Sequence, residues 1–177
     1  LGEVDRIVTL LTKNHGQVRA VAKGVRKTSS RIGARLEPFM VVDVQLYEGR
    51  NLDTVSQVEQ LANYGAVIVD DYARYTAASA VVEAAERLTR EDSSSKHYLL
   101  VLGALRALSA KEQASDQILD SYLLRALAIS GWIANLTSCQ GCGSDQTVLF
   151  SVHSGSVSCA NCALPGSVRL GVEGIAH

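Results

Sequence analysis

Four cysteines stand in two pairs, Cys139-Gln140-Gly141-Cys142 and Cys159-Ala160-Asn161-Cys162, separated by sixteen residues. The pattern C-x2-C-x16-C-x2-C is the spacing of a four-cysteine zinc site. Two residues between cysteines permit a tight turn that aims both sulfurs at one ion. Gly141 and Gly143 suit such a turn, and two turns complete a tetrahedron. The intervening SDQTVLFSVHSGSVS reads as two short strands around His153-Ser154-Gly155, so a ribbon hairpin brings the pairs together. The competing readings are less apt. Disulfides are rare in a reducing compartment, and the pattern uses all four cysteines of the chain. Neither C-x-x-C opens a helix of a βαβ unit, as a redox motif does. A zinc deaminase needs H-x-E, which follows none of His15, His97, His153 or His177. Four thiolates leave no open coordination position, so the expectation is one structural Zn2+, with His153 at the ribbon tip rather than among the ligands.

Charge divides the chain unevenly. Arg6, Lys13, Arg19, Lys23, Arg26, Lys27, Arg31 and Arg35 fall in one stretch that holds no acidic residue. From Leu36 onward nine basic residues face sixteen acidic ones, so an overall charge of −1 conceals a basic module joined to an acidic remainder. Lysines and arginines gain affinity for polyanions by neutralising phosphates and releasing condensed counterions, which suggests a polyanion-binding surface on the first part. A chain of 177 residues that is 47% hydrophobic can bury a core and makes one or two domains. It holds no run of roughly 18 uninterrupted apolar residues, and its first residues lack the layout of a secretory signal, so a cytoplasmic location is expected. The start at Leu1 suggests a piece of something longer.

The hydrophobic period is two in the first third. RIVTLLTKNHGQVRAVAKGV alternates as two strands around Asn14-His15-Gly16, with Arg19 and Lys23 opposite Val18, Ala20 and Ala22. RKTSSRIGARLEP, polar and rich in Ser and Gly, reads as a flexible loop. FMVVDVQLYEG and DTVSQVEQL restore the strand pattern around Gly49-Arg50-Asn51, giving at least four short antiparallel strands between residues 5 and about 62. From Asp70 the period becomes helical. DDYARYTAASAVVEAAERLTRE, KHYLLVLGALRALSA and DQILDSYLLRALAISGWIANL predict three helices, the last with Ser115 as its N-cap and the first followed by a loop at DSSSK. Their Leu and Ala stripes read as core.

Catalytic signatures are missing. The chain carries no phosphate-binding P-loop, G-x-S-x-G elbow, H-E-x-x-H helix or G-x-G-x-x-G fingerprint. The acidic pairs Asp70-Asp71, Glu83-Glu86 and Glu91-Asp92 fall at helix ends or on helix surfaces, as solvated charge does. A non-enzyme is expected.

A basic, short-stranded β module followed by helices and a four-cysteine ribbon resembles the RecO family of bacterial recombination mediators. Residues 1–61, from LGEVDRIVTLL to VSQVEQL, are similar along their whole length to that family's N-terminal OB-fold, and with the cysteines they resemble the actinobacterial form. The resemblance implies an α+β multidomain chain: an OB-fold over 1–68, a helical domain over 69–137, a zinc ribbon over 138–166, and a remnant of a C-terminal region over 167–177. It implies that the OB-fold's first strand precedes Leu1, leaving an exposed edge in its absence. It also implies recombinational repair in the RecFOR pathway: binding of single- and double-stranded DNA, annealing of complementary strands, and loading of RecA with RecR onto DNA coated by single-strand-binding protein. Such work associates the protein with the nucleoid. Within the basic module Phe39 and Tyr47 are the aromatic candidates for base stacking, Arg19, Lys23, Arg26 and Lys27 the strongest phosphate contacts, and Arg31 and Arg35 a loop that closes over the strand. Two other classes remain open on the residues alone. One is a zinc-ribbon adaptor with a basic RNA-binding module, and the other is a hydrolase fragment whose catalytic motif lies elsewhere.

Overall fold

A computed structural model describes residues 2–26, 30–90 and 95–169, which fall into two units divided between Ile129 and Ser130. The first opens on the expected hairpin, β1 (Arg6–Leu11) and β2 (Gln17–Ala22), paired antiparallel from Leu11↔Gln17 to Arg6↔Ala22. Its turn is closed by the Thr12 N–H and hydroxyl, which both donate to the Gly16 carbonyl at 2.8 and 2.9 Å, with Gly16 at φ 63° in the region open to glycine. β3 (Met40–Tyr47) and β4 (Asp53–Asn63) form a second antiparallel pair, and the sheet order is β1-β2-β4-β3.

The strands are not all antiparallel as their pattern led us to expect. β4 lies beside β2 and runs parallel to it through Ala20↔Asp53 and Val21↔Thr54. The chain crosses over after β2, enters the sheet at the outer strand β3 and returns through β4, and alternation of side chains carries no information about direction. Residues 27–29 of the crossover lie outside the described residues; its residues 30–36 are not the flexible loop that the composition suggests. They hold a short helix, α1 (Arg31–Arg35), capped by Ser30, whose Oγ accepts from the Gly33 N–H at 3.1 Å. Ile32 and Leu36, four residues apart, pack from α1 onto the sheet core of Val8, Ala20, Ala22, Val25, Val55 and Val58. That apolar pair holds α1 on the sheet.

A single turn of helix, α2 (Gly65–Ile68), leads into α3 (Tyr72–Leu88), α4 (Ser95–Ala110) and α5 (Ser115–Ile129). Asp71 caps α3, its Oδ1 accepting from the N–H groups of Ala73 and Arg74 at 3.0 and 3.2 Å. The Ala and Leu stripes are core as expected: Ala78, Val81, Leu108 and Ala126 are fully buried with Ile68 and Tyr122. Ser115 is the first helical residue rather than the cap, since the Ile118 N–H already reaches the Ala114 carbonyl at 3.2 Å. α5 stops at Ile129 instead of continuing to Leu136, because Gly131 at φ 89° turns the chain out of the helix. The expected loop at DSSSK begins in residues 91–94, outside the described residues. Two contacts tie sheet to helices within this unit. Phe39, buried at the start of β3 with φ 66°, meets Tyr75 edge-to-face at 5.8 Å between ring centroids, and the Gln17 amide donates to the Glu86 carbonyl at 2.5 Å and the Thr89 hydroxyl at 2.9 Å.

The second unit is a small ribbon. β5 (Leu149–Ser151) and β6 (Ser156–Ser158) pair across the expected turn at His153-Ser154-Gly155, and β7 (Val168–Arg169), which the sequence did not announce, adds to the other side of β5. Val157 is its fully buried centre. Among the described residues no helix is long and apolar enough to cross a membrane.

Candidate metal centre and nucleic-acid interface

The ribbon brings Cys139, Cys142, Cys159 and Cys162 together so that their sulfurs all lie within 4.8 Å of one another. The Cys142 and Cys159 sulfurs are 3.8 Å apart. Metal–sulfur bonds of about 2.3 Å in a tetrahedron place sulfurs roughly 3.8 Å apart along each edge, so this donor set has the size and chemistry for one soft divalent ion. Each pair sits on a backbone turn. The Cys139 carbonyl accepts from the Gly143 N–H and the Ser144 carbonyl from the Cys139 N–H, both at 2.8 Å, with Gly143 at φ 73°, while the Cys162 N–H donates to the Cys159 carbonyl at 3.2 Å. Gly141 is required by closeness: a Cβ there would stand 3.0 Å from both the Cβ and Sγ of Cys162. The first turn is fixed to the hairpin, since the Gln140 N–H reaches the Val157 carbonyl at 3.1 Å and its side-chain oxygen accepts from Ser156. His153 lies exposed at the hairpin tip and is not part of the cluster.

Crowding four thiols divides their protons unequally. The Cys159 backbone N–H aimed at the Cys139 sulfur pulls that thiol down to about 6, against the opposing effect of burial. Cys162 is pushed up to about 12, chiefly by hydrogen bonding with the Cys159 sulfur and then with those of Cys142 and Cys139. Against the Ser144 backbone N–H, which lowers it, the Cys139 and Cys159 sulfurs raise Cys142 as well, and a cation among the sulfurs would favour ionisation of the cluster. A metal would supply that charge, and its uptake would expel protons.

The basic residues of the first unit are dispersed around the sheet. Directly paired residues share a face, so Ile7, Val21, Thr54 and Tyr47 form one row across all four strands, on the face opposite the core. Arg19 stands on this outer face, exposed and paired with Thr9. Arg6 is on the other face, at the position opposite fully buried Ala22, and its guanidinium meets Glu37 at 3.1 Å. Lys13 is exposed in the β1–β2 turn, and Lys23 and Arg26 are exposed in the turn after β2. That turn is anchored by Asp5, whose carboxylate accepts from the Gly24 N–H at 2.9 Å and the Gly2 N–H at 2.8 Å, contacts that hold its pKa below the usual value. Arg31 and Arg35 lie on α1, which covers the core side, and Arg35 donates to the Val58 carbonyl at 2.7 Å. Lys27 lies outside the described residues. Of the two stacking candidates, Tyr47 is 72% exposed, whereas Phe39 is 6% exposed in the helical core and offers no ring to a base. Tyr72, 83% exposed in the first turn of α3, was not singled out by the sequence; its place beside the cap, before the apolar stripe begins, was the available signal.

Two family descriptions match the chain along nearly all of its length: "Recombination protein O N terminal" over residues 1–64 and "Recombination protein O C terminal" over residues 69–175. The chain is 52% identical over 161 residues to the DNA repair protein RecO of Bifidobacterium longum, an alignment that covers 90% of the chain and 67% of that relative. It is 48% identical over 182 residues to the DNA repair protein RecO of a Nocardioides species, covering 99% of the chain and 75% of that relative. Matched by both descriptions and by these relatives, the chain is a member of the RecO family of DNA repair proteins.

Proposed function

We propose that this chain binds single- and double-stranded DNA through its OB module, anneals complementary strands, and acts with RecR to load RecA onto DNA coated by single-strand-binding protein, without catalysing a reaction itself. The observation that supports the DNA-binding part is a run of eight basic residues without an acidic one, of which Arg19 stands exposed on the outer face that also carries exposed Tyr47, and Lys13, Lys23 and Arg26 stand exposed in the turns at the two ends of β2. OB-folds hold nucleic acid on the face of their central strands and adjoining loops. Here the track runs from Lys13 at the hairpin tip, across Thr9 and Arg19, to Lys23 and Arg26 at the far end of β2. With one exposed aromatic ring on that face, phosphate neutralisation outweighs stacking, and two screened strands can meet and pair without the protein reading sequence. Arg6 and Arg35 are partly committed to Glu37 and the Val58 carbonyl, so they contribute less to DNA than to the fold.

The four cysteines hold one structural Zn2+ in this reading. Four thiolates fill its coordination sphere and leave no position for water, so the ion would fix the two turns against each other and do no chemistry. The family membership and the sulfur geometry support this assignment. A strand-annealing assay on the full-length protein tests the function: complementary strands coated with single-strand-binding protein should pair faster with the protein present. An RNA-binding adaptor would leave that rate unchanged.

A further inference from the structure

The four sulfurs differ in how solvent reaches them. Cys139 is 2% exposed and Cys159 and Cys162 are half-buried, but Cys142 is exposed. The Cys142 sulfur lies 3.8 Å from that of Cys159, in the other turn. We propose that the cluster is a peroxide-responsive switch in which Cys142 is the reacting sulfur and Cys159 its resolving partner, so that oxidation links the two turns and expels the metal. This rests on the reading that the cysteines hold zinc.

Hydrogen peroxide is the oxidant. The Cys142 thiolate attacks one oxygen of hydrogen peroxide; an S–O bond forms, the O–O bond breaks and hydroxide leaves, giving a sulfenic acid. The Cys159 thiolate then attacks the Cys142 sulfur; the S–S bond forms, the S–O bond breaks and a second hydroxide leaves. Two sulfurs are oxidised by two electrons in all, and the two peroxide oxygens are reduced. The sulfurs must approach from 3.8 Å to the roughly 2.05 Å of a disulfide, a closure within reach of side-chain rotation with Gly141 and Gly143 flanking Cys142. Two thiolates then remain for the ion, too few to hold a tetrahedral site. Burial shields Cys139, so solvent exposure directs the first oxidation to Cys142. Thiol reductant and zinc reverse the change, because a disulfide, unlike a sulfinic acid, can be reduced by exchange.

The test uses the full-length protein loaded with zinc, its metal content measured beforehand. Hydrogen peroxide is added, released zinc is followed with a chromogenic chelator, and disulfides are mapped by mass spectrometry of unreduced peptides. The inference expects close to one zinc released per disulfide, a Cys142–Cys159 bridge as the main product, and recovery of bound zinc after dithiothreitol and fresh zinc. Zinc retained at peroxide levels that oxidise an exposed thiol would overturn it, as would a main product bridging another pair, or Cys142 driven to sulfinic acid without a bridge. A protein that takes up no zinc would overturn the metal assignment, and the switch with it.

Discussion

Tyr122 carries its hydroxyl into the helical core with no hydrogen-bond partner among the described residues, and desolvation pushes its phenol up to about 12. An unsatisfied buried hydroxyl costs about 1–3 kcal/mol, so Tyr122→Phe should leave the melting temperature unchanged or raise it, where most core changes lower it. The pH dependence has a definite sign. A folded pKa above the ordinary value of 10 means that the neutral phenol is favoured on folding; its contribution is complete below pH 10 and is lost as pH rises toward 12. Alkaline unfolding of the Phe variant should therefore lose part of its slope in that window, as urea titrations at several pH values would measure. A variant that is several kcal/mol less stable would mean that the hydroxyl has a partner. The sequence could not have exposed this: Tyr122 sits on the apolar stripe where Phe or Leu would serve, and the pattern reports hydrophobicity and not the fate of one oxygen.

At the scale of elements, what was legible followed from period and from glycine. The β1–β2 hairpin could be read because alternation continues on both sides of Gly16, and α3 because Asp71 stands where a cap must stand before an Ala-rich stripe. The cysteine turns were the clearest signal, since two C-x-x-C pairs of this spacing call for two tight turns that bring four sulfurs together, as they do. The misreadings share a different cause. α1 spans only five residues, too few for a helical period to show against Ser and Gly, and its order comes from Ile32 and Leu36 finding a sheet distant in sequence. The parallel contact of β2 with β4, and the burial of Phe39 between sheet and α3, likewise depend on tertiary placement. If Ser30 anchors α1 as its cap geometry implies, Ser30→Ala should cost about 0.5–2 kcal/mol in chemical denaturation, where a surface serine in a flexible loop would cost nothing measurable.

For the whole molecule, the division into two units separates two kinds of stability. The sheet–helix unit rests on an apolar core, whereas among the described residues the ribbon has short strands and Val157 as its fully buried hydrophobic residue, so if its cysteines hold zinc as proposed, its order should depend on that ion. Stripping zinc with a chelator is expected to abolish amide protection in residues 130–169 while that of α3 to α5 persists, as hydrogen exchange would reveal; equal loss in both would contradict a division of labour. The basic module raises the central question, whether phosphates carry the binding. The direct measurement is the affinity for an unstructured single strand as salt is varied, for the parent protein and for Arg19→Ala/Lys23→Ala/Arg26→Ala. The account expects log affinity to fall linearly with log salt, by about 0.7 per phosphate neutralised, with the triple variant weaker and its slope shallower by roughly 2 while its melting temperature is unchanged. A flat salt response, or a triple variant with the parent's affinity and slope, would contradict it.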